Sequence, residues 1–404
     1  MNVPKLRFLE FSGEWEEKKL ADIALFSKGK GYTKNDLQKN GTPIILYGRM
    51  YTKYETIIDN VDTFVNMQNG SVISKGGEII VPASGETAEE ISRASVVKNK
   101  GIILGGDLNI ISIPTDKFSS SFLALNISNG DSQHKLSKLA QGKSVVHLHN
   151  EDLSNLEIKI PSLPEQQKIA DFLSTVDSII ASEIKILNAL QKKKKALMQK
   201  LFTQQLRFKS EDGTDFPEWE EKKLGEISSS PKYGLNASGI DYDGEHKYLR
   251  ITDIDEVTHT FSPEEITTPS EFSDDYLLEE NDIVFARTGA STGKTYLYNP
   301  NDGDLYFAGF LIKFHIKDAN ARFVFYQTCT HEYEKWVHVM STRSGQPGIN
   351  SEEYSTLKIQ LPCIEEQQKI ADCLSSLDSL IQNQQKVVTT WQQRKKALLQ
   401  QMFV

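Results

Sequence analysis

Two stretches of the chain carry apolar residues at alternating steps of four and three positions. The first starts at Ile169 and continues through Leu173, Val176 and Ile180, and the second repeats the same steps from Ile370. This spacing has a mean period of 3.5 residues, which is typical of a coiled-coil seam. Each stretch therefore predicts one long helix of ~38 residues, which would extend ~57 Å at 1.5 Å per residue.

The two predicted helices are expected to pair with each other. Both seams are interrupted by polar residues at the same two steps, Glu183 and Lys194 in the first and Gln384 and Lys395 in the second. An antiparallel pair would place Glu183 opposite Lys395, which is an opposite-charge match, and Lys194 would then face Gln384. A parallel pair in equal register would oppose the two lysines. We therefore expect an antiparallel coiled coil, with two separate helices packed on their own domains as the alternative.

The stretches ahead of these helices alternate short β-branched apolar runs with turn residues, a pattern that predicts strands. The predicted strands are Thr42–Tyr47, Glu78–Val81, Ile102–Leu104, Asn109–Ile113, Asp282–Arg287, Lys294–Tyr298 and Leu311–Ile316. A period of 3.6 residues predicts a helix over Ala321–Trp336. We expect a curved, mostly antiparallel sheet with a few helices.

The chain contains this arrangement twice. Trp15–Leu20 recurs as Trp219–Leu224 at an offset of 204 residues, and Glu165–Asp171 recurs as Glu366–Asp372 at an offset of 201. Such a period is far too long for a solenoid and indicates a duplicated domain. The predicted class is α/β (α+β), with two similar mixed domains joined by two long helices about a pseudo-two-fold axis. The predicted boundaries are 1–160 and 204–360 for the domains and 161–203 and 361–404 for the helices.

Composition narrows the class of protein. The 404 residues are 38% hydrophobic and 25% charged, which is enough apolar mass for more than one core. No apolar run approaches ~20 residues, and no apolar stretch follows the N-terminal charges, so we expect neither a membrane span nor a signal peptide. Cys329, Cys363 and Cys373 form no CxxC pair, which argues against a disulfide framework or a cysteine zinc site. We expect a cytoplasmic protein.

The formal net charge of −9 argues at first against a nucleic acid as partner. The acidic excess is confined to one stretch, however. Residues 211–282 contain 5 basic and 21 acidic residues, whereas residues 283–360 contain 8 and 7, and residues 1–160 contain 19 and 19. We expect the acidic stretch to face away from any DNA, and we expect the chain alone to bind DNA weakly.

One glycine-rich stretch is close to a phosphate-binding loop. Thr288–Thr295 looks like a P-loop, but its first glycine stands one residue too close to the Gly-Lys pair, and the residues that follow predict a strand instead of the required helix. A loop of this type could still contact DNA phosphates through backbone N–H groups and Lys294.

Two other groups of polar residues also fall short of a catalytic or metal site. Asp152, Glu157 and Lys159 resemble the acidic pair and lysine of a metal nuclease only superficially, because their spacing is loose. His147 and His149 have no carboxylate or cysteine at metal-ligand spacing. We therefore predict no catalytic residue and no metal site in this chain.

The repeated motifs identify a family. The two near-identical helices carry Pro-x-x-Glu-Gln-Gln-Lys-Ile-Ala-like motifs at Pro164–Ala170 and Pro362–Ala371, and Trp-Glu-x-x-x-Leu opens each half. This arrangement resembles the specificity subunit of a type I restriction–modification system over essentially the whole chain. Ser344–Asn350 is also similar to the family's Gly/Gln loop before the spacer helix, whereas the first domain departs from that pattern at Gln141–Leu148.

The resemblance implies two target-recognition domains, each recognising one half of a bipartite site in double-stranded DNA, with the helices as spacer. Half-sites one DNA turn apart are separated by ~34–36 Å, which helices of this length can hold. It also implies assembly with two methyltransferase subunits and with restriction subunits. S-adenosylmethionine, ATP and Mg are expected on those partners and no cofactor on this chain, which would be a non-catalytic recognition subunit.

Two alternatives stay open at this point. One is a non-catalytic protein-interaction scaffold of two domains with no direct DNA role. The other is a nuclease that uses the run from Asp152 to Lys159.

Candidate DNA-binding residues follow from the chemistry of recognition, which needs hydrogen-bonding side chains on loops at sheet edges. In the first domain the candidates are Tyr47, Arg49, Lys53, Ser84, Lys143, Ser144 and His147. In the second domain they are Arg250, Thr252, Arg287, Thr288, Ser291, Lys294, Arg343, Ser344 and Gln346. The basic runs Lys192–Lys195 and Arg394–Lys396 could face phosphates or form solvated helix faces.

Overall fold

The computed structural model describes residues 3–140, 142, 145–342 and 346–403. The chain divides into two compact units, and the division crosses both long helices, between Lys185 and Ile186 and between Gln384 and Gln385. Each unit therefore contains one mixed α/β domain, the start of the long helix that follows it, and the end of the other long helix. No helix in the described ranges is both long enough and apolar enough to cross a bilayer.

The first unit is built from short strands, short helices and the first long helix. Its strands are β1 (Glu16–Lys19), β2 (Leu25–Lys28), β3 (Leu37–Gln38), β4 (Thr42–Ile45), β5 (Ile57–Ile58), β6 (Phe64–Val65), β7 (Glu78–Pro82), β8 (Ser84–Gly85), β9 (Ser95–Val97), β10 (Ile103–Leu104), β11 (Leu108–Ser112), β12 (Val146–His147) and β13 (Glu157–Ile160). Its helices are α1 (Arg49–Thr52), α2 (Ala88–Ile91), α3 (Ser120–Ile127), α4 (Gly130–Leu139), α5 (Asn150–Ser154) and α6 (Leu163–Phe202), of which α6 continues into the second unit.

The second unit repeats this plan. Its strands are β14 (Glu220–Lys223), β15 (Lys232–Tyr233), β16 (Gly239–Asp241), β17 (Lys247–Leu249), β18 (Thr267–Pro269), β19 (Asp282–Ala286), β20 (Thr295–Leu297), β21 (Leu305–Phe307), β22 (Leu311–His315) and β23 (Lys358–Leu361). Its helices are α7 (Ala321–Gln327), α8 (His331–Ser341), α9 (Ser351–Ser355) and α10 (Ile364–Met402), of which α10 continues into the first unit.

A mostly antiparallel sheet lies at the centre of each unit, as the sequence pattern predicts. The strand order is β2-β11-β7-β9-β5 in the first unit and β15-β22-β19-β20 in the second. The central strands are buried on both faces. In β19, Ile283 and Phe285 pack on one face with the helices, whereas Val284 and Ala286 pack in a second cluster on the other face. Side chains alternate between the two faces of a strand, so one strand contributes to two cores.

The repeated Glu-Gln-Gln motif closes each domain onto the first turn of its long helix. Glu165 is 1% exposed and accepts hydrogen bonds from the Arg7 guanidinium, at 2.7 and 2.8 Å, and from the Trp15 indole N–H. Gln166 accepts a hydrogen bond from the Ser119 N–H and donates to the Pro161 carbonyl oxygen. The motif therefore joins the N-terminal segment, α3 and α6.

The second copy of the motif forms the same contacts in the second unit. Glu366 is buried and accepts hydrogen bonds from Arg207 and from the Trp219 indole N–H. Gln367 accepts from the Asn320 N–H and donates to the Pro362 carbonyl oxygen. The near-identity of the repeated segments thus has a structural cause.

The long helices pair in antiparallel fashion within each unit. In the first unit Lys395 forms an ion pair with Asp177, and beyond it Met402 and Phe403 enter the core that also contains Leu173. The second unit has the equivalent ion pair, between Lys194 and Asp378, and Leu201 enters its core with Leu374. The predicted antiparallel direction is confirmed.

The predicted partners of the two seam lysines are wrong. Lys395 pairs with Asp177 in place of Glu183, and Lys194 pairs with Asp378 in place of Gln384. The prediction compared only residues that lie on the seam. A lysine side chain is long enough to reach an aspartate that lies next to the seam. Burial of each helix end in a domain core and these ion pairs together hold the two helices in register.

The predicted helix over Ala321–Trp336 is two helices. The first, α7, ends at Gln327, and the Thr330 hydroxyl caps α8 by accepting a hydrogen bond from the Tyr333 N–H. The hydroxyl of the intervening Thr328 is buried against the Thr295 hydroxyl at 2.9 Å. Apolar periodicity continues across this break, so the pattern alone does not reveal it.

Candidate functional site

The same backbone arrangement stands at one end of the central sheet in each unit. It joins three parts of the backbone. These are the residue after the central strand (β7 or β19), the turn before the neighbouring strand (β11 or β22) and the segment before the short helix (α5 or α9). We call this arrangement the recognition frame and define it by four equivalent positions. These are Lys28, Ala83, Asp107 and His147 in the first unit and Tyr233, Arg287, Phe310 and Gly348 in the second.

Backbone hydrogen bonds establish the equivalence in the first unit. The Ala83 N–H donates to the Asp107 carbonyl oxygen at 2.8 Å, and the Leu148 N–H donates to the Ala83 carbonyl oxygen at 3.0 Å. Ser84 then pairs with His147 in the β8–β12 ladder.

The second unit repeats each of these contacts. The Arg287 N–H donates to the Phe310 carbonyl oxygen at 3.0 Å, and the Ile349 N–H donates to the Arg287 carbonyl oxygen at 2.9 Å. A bridge between Thr288 and Gly348 matches the pairing of Ser84 with His147. The two units thus share the backbone of the frame and differ in the side chains that it presents.

In the second unit the frame presents an arginine stacked on an aromatic ring. The Arg287 guanidinium carbon lies 4.9 Å from the centroid of the Tyr233 ring. The Tyr233 side chain is 38% exposed, and Phe310 is 60% exposed on the adjacent turn. Gln346, an exposed residue, lies beside Gly289, whose N–H donates to the Pro347 carbonyl oxygen. The candidates Thr288 and Gln346 therefore lie in the same loop region as Arg287, and Ser291 follows on the turn that leads to β20.

Buried tyrosines hold the loop that carries these residues. The Tyr354 hydroxyl donates to the Ala286 carbonyl oxygen at 2.7 Å, and the Tyr333 hydroxyl donates to the Gly293 carbonyl oxygen at 2.8 Å. Burial raises the pKa of both hydroxyls well above 10, so both remain protonated donors. Gly293 has a φ of +93°, and a Cβ there would clash with Val337, so this glycine is required by the geometry.

In the first unit the frame collects three of the predicted residues. Ser84 is buried, and its carbonyl oxygen accepts a hydrogen bond from the Tyr51 hydroxyl at 2.6 Å. Desolvation raises the pKa of Tyr51 well above its usual value. Tyr47 packs edge-on against Tyr51, and His147 is exposed and stacks on His149. Tyr47, Ser84 and His147 thus lie near one another.

Arg49 and Lys53 lie on and after α1 and interact with carboxylates of their own domain. The Arg49 side chain is 8% exposed, pairs with Glu55 and Asp62 at 2.8 and 2.7 Å, and donates to the Asn60 carbonyl oxygen. Lys53 is half-exposed, with its ammonium 3.4 Å from Asp62. These contacts favour a structural role for Arg49.

Three candidates of the second unit lie outside its frame. Arg250 forms two hydrogen bonds to the buried Asp253 carboxylate at 2.9 and 3.0 Å, which raise the pKa of the guanidinium, and Thr252 is exposed beside it. The Lys294 ammonium donates to the Ile254 carbonyl oxygen at 2.9 Å and lies 3.5 Å from Glu256. Lys294 is therefore directed toward its own domain. Lys143, Ser144, Arg343 and Ser344 lie outside the described residues.

The stretch that looks like a P-loop connects β19 to β20 and is followed by a strand, in agreement with the sequence analysis. The run from Asp152 to Lys159 forms no common site. The Asp152 carboxylate caps α5 by accepting from the His149 N–H, whereas the Lys159 ammonium lies 3.8 Å from Asp131.

Within the described ranges, one group has side chains close enough to hold a metal ion: Glu279, Asp282 and His315. The Lys313 ammonium lies 3.0 Å from the Asp282 carboxylate and supplies a cation there. Asp282 also accepts a hydrogen bond from the Glu279 N–H, and this contact fixes the turn before β19. The geometry explains this group without a metal.

Two frame residues, Tyr233 and Phe310, were missed by sequence reasoning. Each is a single exposed aromatic residue beside a glycine, Gly234 and Gly309. Aligning the two halves at offsets of 203–205 residues would have placed Tyr233 opposite Lys28 and Phe310 opposite Asp107. Their proximity to Arg287, however, depends on the pairing of strands that are far apart in the chain.

Comparison with known proteins gives one consistent result. The family model described as "Type I restriction modification DNA specificity domain" matches residues 12–192 and 217–390. The MjaVIII specificity subunit of a type I restriction enzyme from Methanocaldococcus jannaschii is 27% identical, with 98% of this chain and 94% of that protein covered. The StySPI specificity subunit from Salmonella potsdam is 24% identical over 72% of this chain and 65% of its own length.

Solved structures show the same fold. The crystal structure of a type I restriction–modification S subunit from M. genitalium covers 100% of this chain, with 99% of its own length matched, a TM-score of 0.63 and 17% identity. A chain from a structural study of complex assembly and conformational transition of the type I system covers 95% of this chain and 96% of its own length, with a TM-score of 0.57 and 16% identity.

Proposed function

The chain belongs to the family of type I restriction–modification DNA specificity proteins, and we propose that each of its two domains recognises one half of a bipartite DNA site. The observation that carries this proposal is the double match of the family model, once in each half of a single chain. The recognition frame supports it, because the backbone is common to both units and its side chains differ. A shared backbone with different side chains suits two domains that bind different sequences.

We further propose that the chain is non-catalytic and directs partner subunits. Two methyltransferase subunits would supply S-adenosylmethionine chemistry, and restriction subunits would supply ATP- and Mg-dependent cleavage. In this assignment the paired long helices separate the two half-sites, and their length sets the spacer. The alternative, a scaffold without a DNA role, has no observation in its favour beyond the two-domain organisation.

Exchange of one domain tests the proposal. Residues 21–155 lie between β1 and β13, which pair with each other from Glu16 opposite Ile160 to Lys19 opposite Glu157. Replacing this segment by that of a relative therefore keeps the junction in a strand pair common to both units. Single-molecule sequencing of host DNA should show a change in only one half of the methylated motif.

The reciprocal exchange is the matched control. Residues 225–356 lie between β14 and β23, which pair in the same way. Their replacement should change the other half of the motif. A motif that changes in both halves, or in neither, would show that the domains do not act as independent recognition modules.

A further inference from the structure

We propose that Arg287, held over the ring of Tyr233, recognises a guanine in the half-site of the second domain. This inference rests on the proposed function and deepens it, because it names a base and the residue that contacts it.

Arg287 is the half-buried arginine whose guanidinium has no hydrogen-bond acceptor or carboxylate partner among the described residues. Among the described residues, the guanidinium lies against the Tyr233 ring. Other described arginines of comparable burial are engaged: Arg7 and Arg207 bind buried glutamates, Arg49 binds two carboxylates, and Arg93 donates to the Met50 carbonyl oxygen. The N–H donors of a partly buried guanidinium require acceptors. None of the described residues supplies an acceptor to Arg287, and we assign that place to a ligand.

The position of Arg287 is fixed before any ligand binds. Its backbone N–H and carbonyl oxygen both take part in the frame, and the preceding residue, Ala286, is held by the Tyr354 hydroxyl. The aromatic ring beneath the guanidinium stabilises the cation and restricts the side chain. A restricted side chain loses less conformational entropy on binding, so the contact gains affinity and orientation.

Guanine is the base that suits this group. Its major-groove edge offers two acceptors, O6 and N7, which a guanidinium binds through two parallel hydrogen bonds. The neighbouring Gln346 and Thr288 add neutral polar groups, and Phe310 adds an exposed ring. The equivalent of Arg287 in the first unit is Ala83, which has no polar side chain. The guanine contact therefore belongs to the second half-site alone.

The test uses the chain assembled with its methyltransferase partner. In wild type, 7-deazaguanine, which lacks only the N7 acceptor, is placed at each guanine of the second half-site in turn. One of these duplexes should bind about 10-fold more weakly than the unmodified duplex, and Arg287→Ala should weaken binding of the unmodified duplex about 10- to 100-fold. The Arg287→Ala variant should bind this modified duplex as tightly as it binds the unmodified duplex.

Conservative variants and a matched control separate a specific contact from misfolding. Arg287→Lys should lose most of the discrimination, because it keeps the charge but cannot form two parallel hydrogen bonds. Arg93→Ala removes a guanidinium that lies 5.2 Å from the Tyr54 ring in the first unit, and it should leave the guanine dependence of the second half-site unchanged.

Two results would overturn the inference. One is a second half-site in which no 7-deazaguanine substitution weakens binding of the wild type. The other is an Arg287→Ala variant that loses as much affinity on modification as the wild type does. Either result leaves the proposed function intact if the domain exchange still changes one half of the motif.

Discussion

At the scale of single residues, the repeated motif is explained by a buried carboxylate in each unit. Glu165 and Glu366 lie in the first turns of the long helices, where a negative charge is stabilised by the helix dipole. Each also binds an arginine and a tryptophan that precede it in the chain by about 150 residues. A buried charge of this kind is tolerated because its hydrogen bonds are satisfied.

Glu366→Gln tests this role. The amide keeps the shape of the side chain but removes the charge that balances Arg207, so the free energy of unfolding should fall by about 2 kcal/mol. Urea unfolding of the full chain measures the change. The control is Glu221→Gln, which removes an exposed ion pair with Lys358 and should change the free energy of unfolding far less. Equal losses in the two variants would contradict the assignment.

At the scale of elements, the long helices depend on cross-helix ion pairs for their register. Lys194 and Asp378 are 18% and 31% exposed, and the lysine also lies 5.2 Å from the Tyr326 ring. The Tyr326 hydroxyl donates to the same aspartate at 2.6 Å. Burial raises the pKa of this tyrosine well above its usual value, so the hydroxyl remains a donor. Asp378 therefore joins both long helices to α7.

A double-mutant cycle on Lys194 and Asp378, with alanine at each position, should give a coupling energy of about 1 to 2 kcal/mol, because water screens this pair only partly. The same cycle on Lys335 and Glu332 is the control. That pair is exposed on α8 and should give a much smaller coupling energy, because water screens it. If the two couplings are equal, the ion pair between the helices has no special role in the register.

At the scale of the whole molecule, the net charge of −9 is not spread evenly along the chain. Much of the acidic excess belongs to residues 211–282, which precede the central strand β19 of the second unit almost entirely. Residues 283–360, which contain most of the frame of the second unit, have 8 basic and 7 acidic residues. The total charge therefore does not exclude DNA, but it predicts a small electrostatic contribution from this chain.

The salt dependence of binding tests that prediction. The logarithm of the DNA affinity of the chain alone should fall with the logarithm of the salt concentration with a slope of about −3 or shallower, because few phosphates are neutralised. The complex with methyltransferase subunits should give a slope of about −6 or steeper. Titration with KCl in a DNA-binding assay measures both. An equally steep slope for the chain alone would place the main phosphate contacts on this protein.

The sequence by itself determined the duplication, the two long helices and the positions of the main strands. These features depend on local periodicity or on repeated residues, and both are visible in one dimension. The seam from Ile169 and the run Ile283–Ala286 must both bury their apolar side chains, so their patterns indicate which residues enter a core.

Only the tertiary structure decided the register of the helices, the break between α7 and α8, and the recognition frame. Each depends on contacts between residues that are distant in the chain. Lys194 reaches Asp378, Thr328 reaches Thr295, and Arg287 reaches Tyr233. No period in the sequence encodes such contacts, because they arise when strands pair and helix ends enter a core. The chemistry of Arg287 is enough to predict it as a DNA-binding residue from the sequence. Only the folded structure shows that no described residue accepts a hydrogen bond from its guanidinium.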